Sequence, residues 1–302
     1  MKKQIVLLLL PLFATAQHTF EQAEKYYGQK QYSKAEALFV PYLKEHPAHL
    51  KTIEYLGDIA GAKEDWGKAI HYYGALVQRD NKSANYHFKY GGAMGMKALN
   101  ISRIRAVTYI GDIKKHFETA ARLDLNHIEV RWALVEFYMQ LPGILGGSEK
   151  KAQKYASQLL KISPVNGYLA NGYIAEQGKR PKDAEVHYKK AIKTAPAGFK
   201  AHKNNRLNYQ LGKIAAEYNI KAALGINSLR QYIKNYSNRD GVPKDWAYYR
   251  LAQIYKNLGE KQTALQWIGK ALKARPNFEQ AKAEQREIQG LKVQNSKRIN
   301  KP

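Results

Sequence analysis

Residues 245–276, DWAYYRLAQIYKNLGEKQTALQWIGKALKARP, decide the fold. Tyr248, Leu251, Ala252 and Tyr255 fall at i, i+3, i+4 and i+7, so they share one face of a helix. Gly259 ends that helix. Ala264, Ile268 and Ala271 mark the facing stripe of a second helix, which Pro276 stops. The small side chains at Ala252, Ala264 and Ala271 let the two helices approach closely, with Tyr255 and Ile268 filling the gap beside them.

The same spacing recurs upstream. Ala23, Tyr26, Ala35 and Phe39 occupy the places of Ala252, Tyr255, Ala264 and Ile268, and Leu56, Gly57, Ala69 and Tyr73 follow. Ala35 to Ala69 and Phe39 to Tyr73 are both steps of 34 residues. A helix–turn–helix unit of about 34 residues resembles the tetratricopeptide repeat. Further units are marked by Tyr90, Gly91, Phe117 and Ala120; by Trp132, Val135, Met139, Ala152 and Leu159; and by Tyr168, Gly172, Ala184 and Tyr188. A sixth is degenerate, with Leu211 and Gly212 clear but only Gly225, Leu229 and Tyr232 in its second helix. Two inserted loops are expected, one around residues 96–107, about ten residues beyond the family pattern, and one at residues 141–148. The resemblance covers residues 20–276. It implies an all-α superhelical solenoid of about seven antiparallel helix pairs, with residues 277–291 as a capping helix.

The remaining segments bound the domain organisation. Lys2 and Lys3, the apolar run 5–13 and Ala14-Thr15-Ala16 read in order as a signal peptide over residues 1–16, too short to span a bilayer. The solenoid is then residues 17–291, and residues 292–302 a basic disordered tail. The chain has no Cys, which excludes disulfides, thiolate metal sites and a lipid-modified Cys. The expected product is exported and soluble, periplasmic or secreted, and not a lipoprotein.

Little in the sequence points to catalysis. Gly143, Gly146 and Gly147 precede a helix, yet no strand comes before them and no Lys-Ser or Lys-Thr follows, so the loop reads as a turn with Ser148 capping the next helix. His46 and His49 are separated by Pro47 with no third ligand nearby, and the other histidines read as helix-surface or loop residues. No G-x-S-x-G element is present. The expectation is a non-enzyme with no cofactor and no metal.

Two features remain for binding. The resemblance implies that first helices line a concave groove. The residues projected there are Tyr27, Glu54, Asp58, Phe88, Phe137, Tyr173, Tyr209, Lys213, Trp246, Tyr249, Gln253 and Asn257. Aromatics among polar groups suit capture of a peptide or glycan. Some relatives hold a C-terminal carboxylate through Lys and Asn on these helices. Here Phe20, Glu54, Phe88, Ala133, Leu169, Tyr209 and Tyr249 fill one of the Lys places, so that mode is not carried over. The second feature is charge. The chain carries a net +25, concentrated in residues 150–239, where 18 basic and 4 acidic side chains give +14. Lys179, Arg180, Lys182, Lys189, Lys190, Lys193, Lys203, Arg206 and Lys221 form an expected cationic surface able to attract anionic polymers or head groups. The leading expectation is an envelope scaffold that binds a protein segment in the groove. The alternative is a binder of anionic cell-wall glycan or lipopolysaccharide, and nucleic acid is a poor partner for an exported chain.

Overall fold

The computed structural model describes residues 10–196, 205–237, 240 and 242–291, with backbone alone for residues 10–17. The expected tail, Lys203 and the first nine residues of the expected signal segment lie outside the described residues. Among the described residues there are 15 α-helices and no strand. They pair as α1 (Leu10–Gly28) with α2 (Tyr32–Glu45), α3 (Leu50–Ala62) with α4 (Trp66–Arg79), and α5 (Ala84–Leu99) with α6 (Arg103–Leu123). Then come α7 (Ile128–Gln140) and α8 (Glu149–Ile162), α9 (Pro164–Gln177) and α10 (Pro181–Thr194), and α11 (Asn205–Tyr218) and α12 (Ala222–Asn235). Last are α13 (Lys244–Asn257) with α14 (Lys261–Ala274), and the single α15 (Glu279–Gly290). This is the solenoid of helix pairs that the repeat pattern predicts. The chain packs as two compact units, Met1–Tyr155 and Ala156–Pro302, a division inside α8 that the unbroken repeat pattern does not announce.

Local chemistry sets the helix ends. Asp65 Oδ1 accepts from Lys68 N at 3.1 Å, and Ser83 Oγ accepts from Tyr86 N at 3.3 Å. The turn between first and second helix needs a residue at positive φ. Lys30 and Glu64, 34 residues apart, both supply it, as does Lys179, and Gly259 does so without steric cost at φ +77°.

In the first unit the core runs from repeat to repeat. Phe39 of α2 packs with Ala23 of α1 and with Leu56 and Ile59 of α3. Tyr73 and Leu76 of α4 pack with Ile53 and Ala60 of α3 and with Ala93 of α5. Each pair therefore buries its apolar face only against its neighbours, which is why the unit must stack. Closest approach is set by a missing side chain: a methyl group on Gly57 would lie 2.5 Å from Cε1 of Tyr73. Moving the ring aside would break the hydrogen bond that Tyr73 Oη donates to Asp58 Oδ1 at 2.6 Å.

The residues around 96–107 are not an inserted loop. They lengthen both helices of the third pair, giving α5 16 residues and α6 21, against 13 and 14 in α3 and α4. The connecting turn is only residues 100–102. Extra turns of helix satisfy their own backbone groups, which an extended loop of that length would leave to water.

The second unit repeats the scheme. Tyr188 packs onto Gly172, where an added methyl would lie 2.3 Å from the ring, and Leu229 covers Gly212 in the degenerate sixth repeat. The last helix, α15, buries Ala281, Glu284 and Ile288 and exposes Gln280, Arg286 and Glu287, the face pattern of a cap.

Candidate functional site

In the first unit, the first helices α1, α3 and α5 are joined side by side through a ladder of polar contacts. Tyr27 Oη donates to Asp58 Oδ2 at 3.2 Å. Lys89 Nζ donates to both Asp58 oxygens, at 2.8 and 2.9 Å, and to Glu54 Oε1 at 2.6 Å. Asn85 Nδ2 also reaches Glu54 Oε1 at 3.0 Å, and Tyr55 Oη donates to Glu24 Oε1 at 2.8 Å. Tyr27–Asp58, Glu24–Tyr55, Glu54–Asn85 and Asp58–Lys89 are each 31 residues apart, so contact from one first helix to the next runs at a step of 31 residues. Burial pushes the Glu54 carboxyl up, but the hydrogen bonds from Lys89 and Lys51 outweigh it and leave the group below its usual range. Burial and then Asp58 push the Tyr27 phenol up, and burial with Glu24 raises Tyr55 to about 12.

Of the residues projected onto this groove, Tyr27, Asp58, Phe88 and Phe137 are half-buried and Glu54 is buried. Phe88 lies 4.9 Å from the His127 ring and 6.0 Å from Phe117, and Phe137 meets Tyr138 edge-on at 5.4 Å. Lys89, Asn85, Glu24 and Tyr55 fall outside the projected set, although the 31-residue step would have found them.

The second unit carries a comparable face on α11, α13 and α15. Gln253 Nε2 donates to Tyr249 Oη at 2.9 Å and to Glu284 Oε2 at 3.1 Å. Lys256 bridges Glu284 and Glu287 at 2.6 and 2.7 Å, and Arg250 Nη2 donates to Glu217 at 2.7 Å. Trp246 stands edge-on to Phe278 at 4.6 Å, and the Arg275 guanidinium lies 3.7 Å from the Phe278 ring centre. Tyr209 and Tyr249 are buried, Tyr209 against Tyr232 at 5.3 Å, so both act as packing between helices. Tyr173, Lys213, Trp246 and Gln253 are half-buried, and Asn257 is exposed. Lys213 Nζ lies 3.6 Å from Glu176 Oε1.

Among the expected cationic residues, Lys179, Arg180, Lys182, Lys190, Lys193, Arg206 and Lys221 are exposed. Lys189 is half-buried and paired with Glu185 at 2.6 Å. Lys221 also closes the end of α10, where its Nζ donates to the carbonyls of Lys193 and Ala195 at 2.8 and 3.0 Å.

The glycine loop is a turn. Gly143–Leu145 form a short 3-10 helix, and Gly146 takes φ +94°. The N–H groups of Leu145, Gly146, Gly147 and Ser148 all bond carbonyls of residues 138–143, which leaves them no anion to hold. Ser148 Oγ accepts from Lys151 N at 3.3 Å, capping α8.

The histidines differ from expectation. His87 and His116 are buried, not on a helix surface, and bond each other through their Nδ1 atoms at 2.7 Å. His87 Nε2 donates to the Asn81 carbonyl at 3.0 Å, so its Nδ1 accepts and His116 donates. Burial, then the His87 and Lys115 neighbours, push His116 down to about 4. His49 and His127 cap α3 and α7 through Nδ1. Among the described residues, no group of three or more His, Cys, Asp or Glu could hold a metal ion.

The tetratricopeptide-repeat family model matches residues 247–278, the α13–α14 pair. The chain carries a tetratricopeptide repeat there, and its fold is that of tetratricopeptide-repeat proteins. Solved structures similar to this repeat chain include a tetratricopeptide repeat protein from Parabacteroides merdae, 14% identical, covering 91% of this chain and 99% of that one, with a TM-score of 0.52. The APC/C hetero-tetramer Cut9-Hcn1 (14% identity, TM-score 0.53) and the human IFIT1 dimer with PPP-AAAA (20% identity, TM-score 0.51) match over 88% and 85% of this chain. The repeat chain spans 48% and 54% of those two. At these identities the likeness is one of fold. No curated protein matches the sequence. No helix among the described residues is long and apolar enough to cross a membrane.

Proposed function

We propose that the protein is a non-enzymatic scaffold of the cell envelope that binds a protein segment along the first-helix face of its repeats. The observation that carries this reading is the ladder on that face. Lys89, Glu54, Asp58 and Tyr27 hold one another in place before any partner arrives. A surface already ordered loses little side-chain entropy on binding, so more of each contact appears as affinity. Half-buried Phe88 and Phe137 add apolar area on the first helices of the same unit, and half-buried Trp246 adds it in the second unit. The signal-like residues 1–16 support export.

Capture from envelope extract tests it. Wild type should enrich one protein, and Tyr173→Ala/Asn257→Arg, shown by circular dichroism to keep the parent's helix content, should release it. Equal capture by both would refute the groove as the binding face.

A second reading, an anionic glycan or lipopolysaccharide binder, is favoured by the exposed set Lys179, Arg180, Lys182, Lys190 and Lys193. Sedimentation with cell-wall material that is lost at raised salt would support it.

A further inference from the structure

The ends of the elongated third pair carry large apolar side chains that nothing in the first unit covers. Leu99, at the end of α5, is 73% exposed; Ile104 and Val107, on the first turns of α6, are 86% and 45% exposed. Ile144, in the turn after α7, is 95% exposed. These belong to one edge of the unit. The start of α5 lies beside the start of α7, with the Phe88 and His127 rings 4.9 Å apart, and both helices are the first of their pair. At a rise of 1.5 Å per residue, Leu99 stands about 17 Å beyond Phe88 and Gln140 about 20 Å beyond His127, so the two turns end at a similar height.

The rim of this edge is basic. Arg103 and Arg105 are exposed beside Ile104, and Lys97 is half-buried next to Leu99. Lys150, Lys151 and Lys154 are exposed on the first turns of α8, following the Ile144 turn. No carboxylate occurs from residue 81 to 111; the acidic groups at this rim are Glu149, exposed at the start of α8, and Asp65, close enough to Lys97 to feel its charge, and the cations outnumber them. Leu125, exposed at the other end of α6, lies next to Asp124 and has no such rim.

We propose that this edge of repeats three and four docks on an anionic lipid surface, its apolar tips entering the head-group region while the Lys and Arg rim meets lipid phosphates. Single apolar side chains standing out on turns fit a soft surface better than a protein partner, whose binding residues are typically buried in packed pockets. A cationic rim around apolar tips supplies both terms of interfacial binding, area removed from water and attraction to anionic head groups. The edge is separate from the first-helix face, so its failure leaves the scaffold reading untouched.

The chain has no Cys, so one probe can be placed at will. Ile104→Cys and Ile144→Cys, each labelled with an environment-sensitive fluorophore in the full chain, are mixed with phosphatidylcholine vesicles with and without phosphatidylglycerol. Both labels should brighten only with phosphatidylglycerol and be quenched by spin-labelled acyl chains. A label at Gln78→Cys, exposed on α4, should do neither. Adding Leu99→Ser and Ile104→Ser to the Ile144→Cys chain should weaken the vesicle titration about tenfold or more. Labels at 104 and 144 that stay dim while the protein pellets with vesicles would overturn the proposal in favour of the cationic surface elsewhere. A titration unchanged by the two Ser substitutions would overturn it equally.

Discussion

Gly57→Ala should destabilise the protein, against the ordinary effect of that change. Gly57 lies inside α3, and replacing a mid-helix Gly by Ala usually stabilises by about 0.8–1 kcal/mol. Here the new methyl would sit 2.5 Å from Cε1 and 2.8 Å from Cδ1 of Tyr73. The ring cannot swing aside cheaply, since its hydroxyl is held by Asp58 at 2.6 Å. Overpacking of this kind costs about 1–3 kcal/mol, more when the neighbour is tethered. The upper part of that range applies, so the net loss should be about 1–2 kcal/mol, or a fall in Tm of about 2–8 °C at roughly 2–4 °C per kcal/mol. The seventh repeat shows the compensating pair: Ala252 and Ile268 occupy the same two places, and both are fully buried. Adding Tyr73→Ile should therefore recover part of the loss. Thermal and urea unfolding followed by circular dichroism would measure all three chains, with Gly269→Ala, where nothing lies within 4 Å, as a control that should rise slightly. If Gly57→Ala rises as Gly269→Ala does, the close approach of the two helices is not what requires glycine.

Other consequences are equally direct. Arg131 is 2% exposed and donates to the carbonyls of Ala121, Asp124 and His127 at 2.9–3.1 Å, so Arg131→Met should cost about 3 kcal/mol and Arg131→Lys should not restore it, both read by urea titration. His116 binds its proton less readily in the fold than in the unfolded chain. Its contribution is complete above about pH 6.5 and is lost as pH falls toward about 4; Tm measured between pH 7.5 and 4.5 should fall less steeply in His116→Gln. Lys89→Met should remove the cation that Glu54 and Asp58 share, leaving only Lys51 on Glu54, and cost about 2 kcal/mol near neutral pH. That loss should shrink as acid protonates Glu54, which titrates below its usual range in the parent chain.

The repeat pattern was legible because each unit needs a small residue facing a large one, and Gly57 with Tyr73, Ala252 with Ile268 and Gly172 with Tyr188 all sit at the same offsets. Other features were hidden by their chemistry. The residues around 96–107 read as a loop because they run about ten residues beyond the family pattern, yet the extra residues lengthen both helices and only residues 100–102 form a turn. His87 and His116 look like surface residues singly; their hydrogen bond across α5 and α6, with the one from His87 to the Asn81 carbonyl, makes burial tolerable. On the first-helix face, Tyr209 and Tyr249 satisfy the spacing for groove residues but point into the packing, because aromatic area near the helix seam is buried before it can serve a partner. The 31-residue step that joins Asp58 to Lys89 also joins Gln253 to Glu284, and it was present in the sequence as complementary polar pairs.

The scaffold reading is tested most directly by photocrosslinking in the native cell from Tyr173 and Asn257, the half-buried and exposed members of the second unit's face, followed by mass spectrometry. One and the same protein should be crosslinked from both positions. Crosslinks to glycan or lipid alone, or none from either position, would contradict a protein-binding groove.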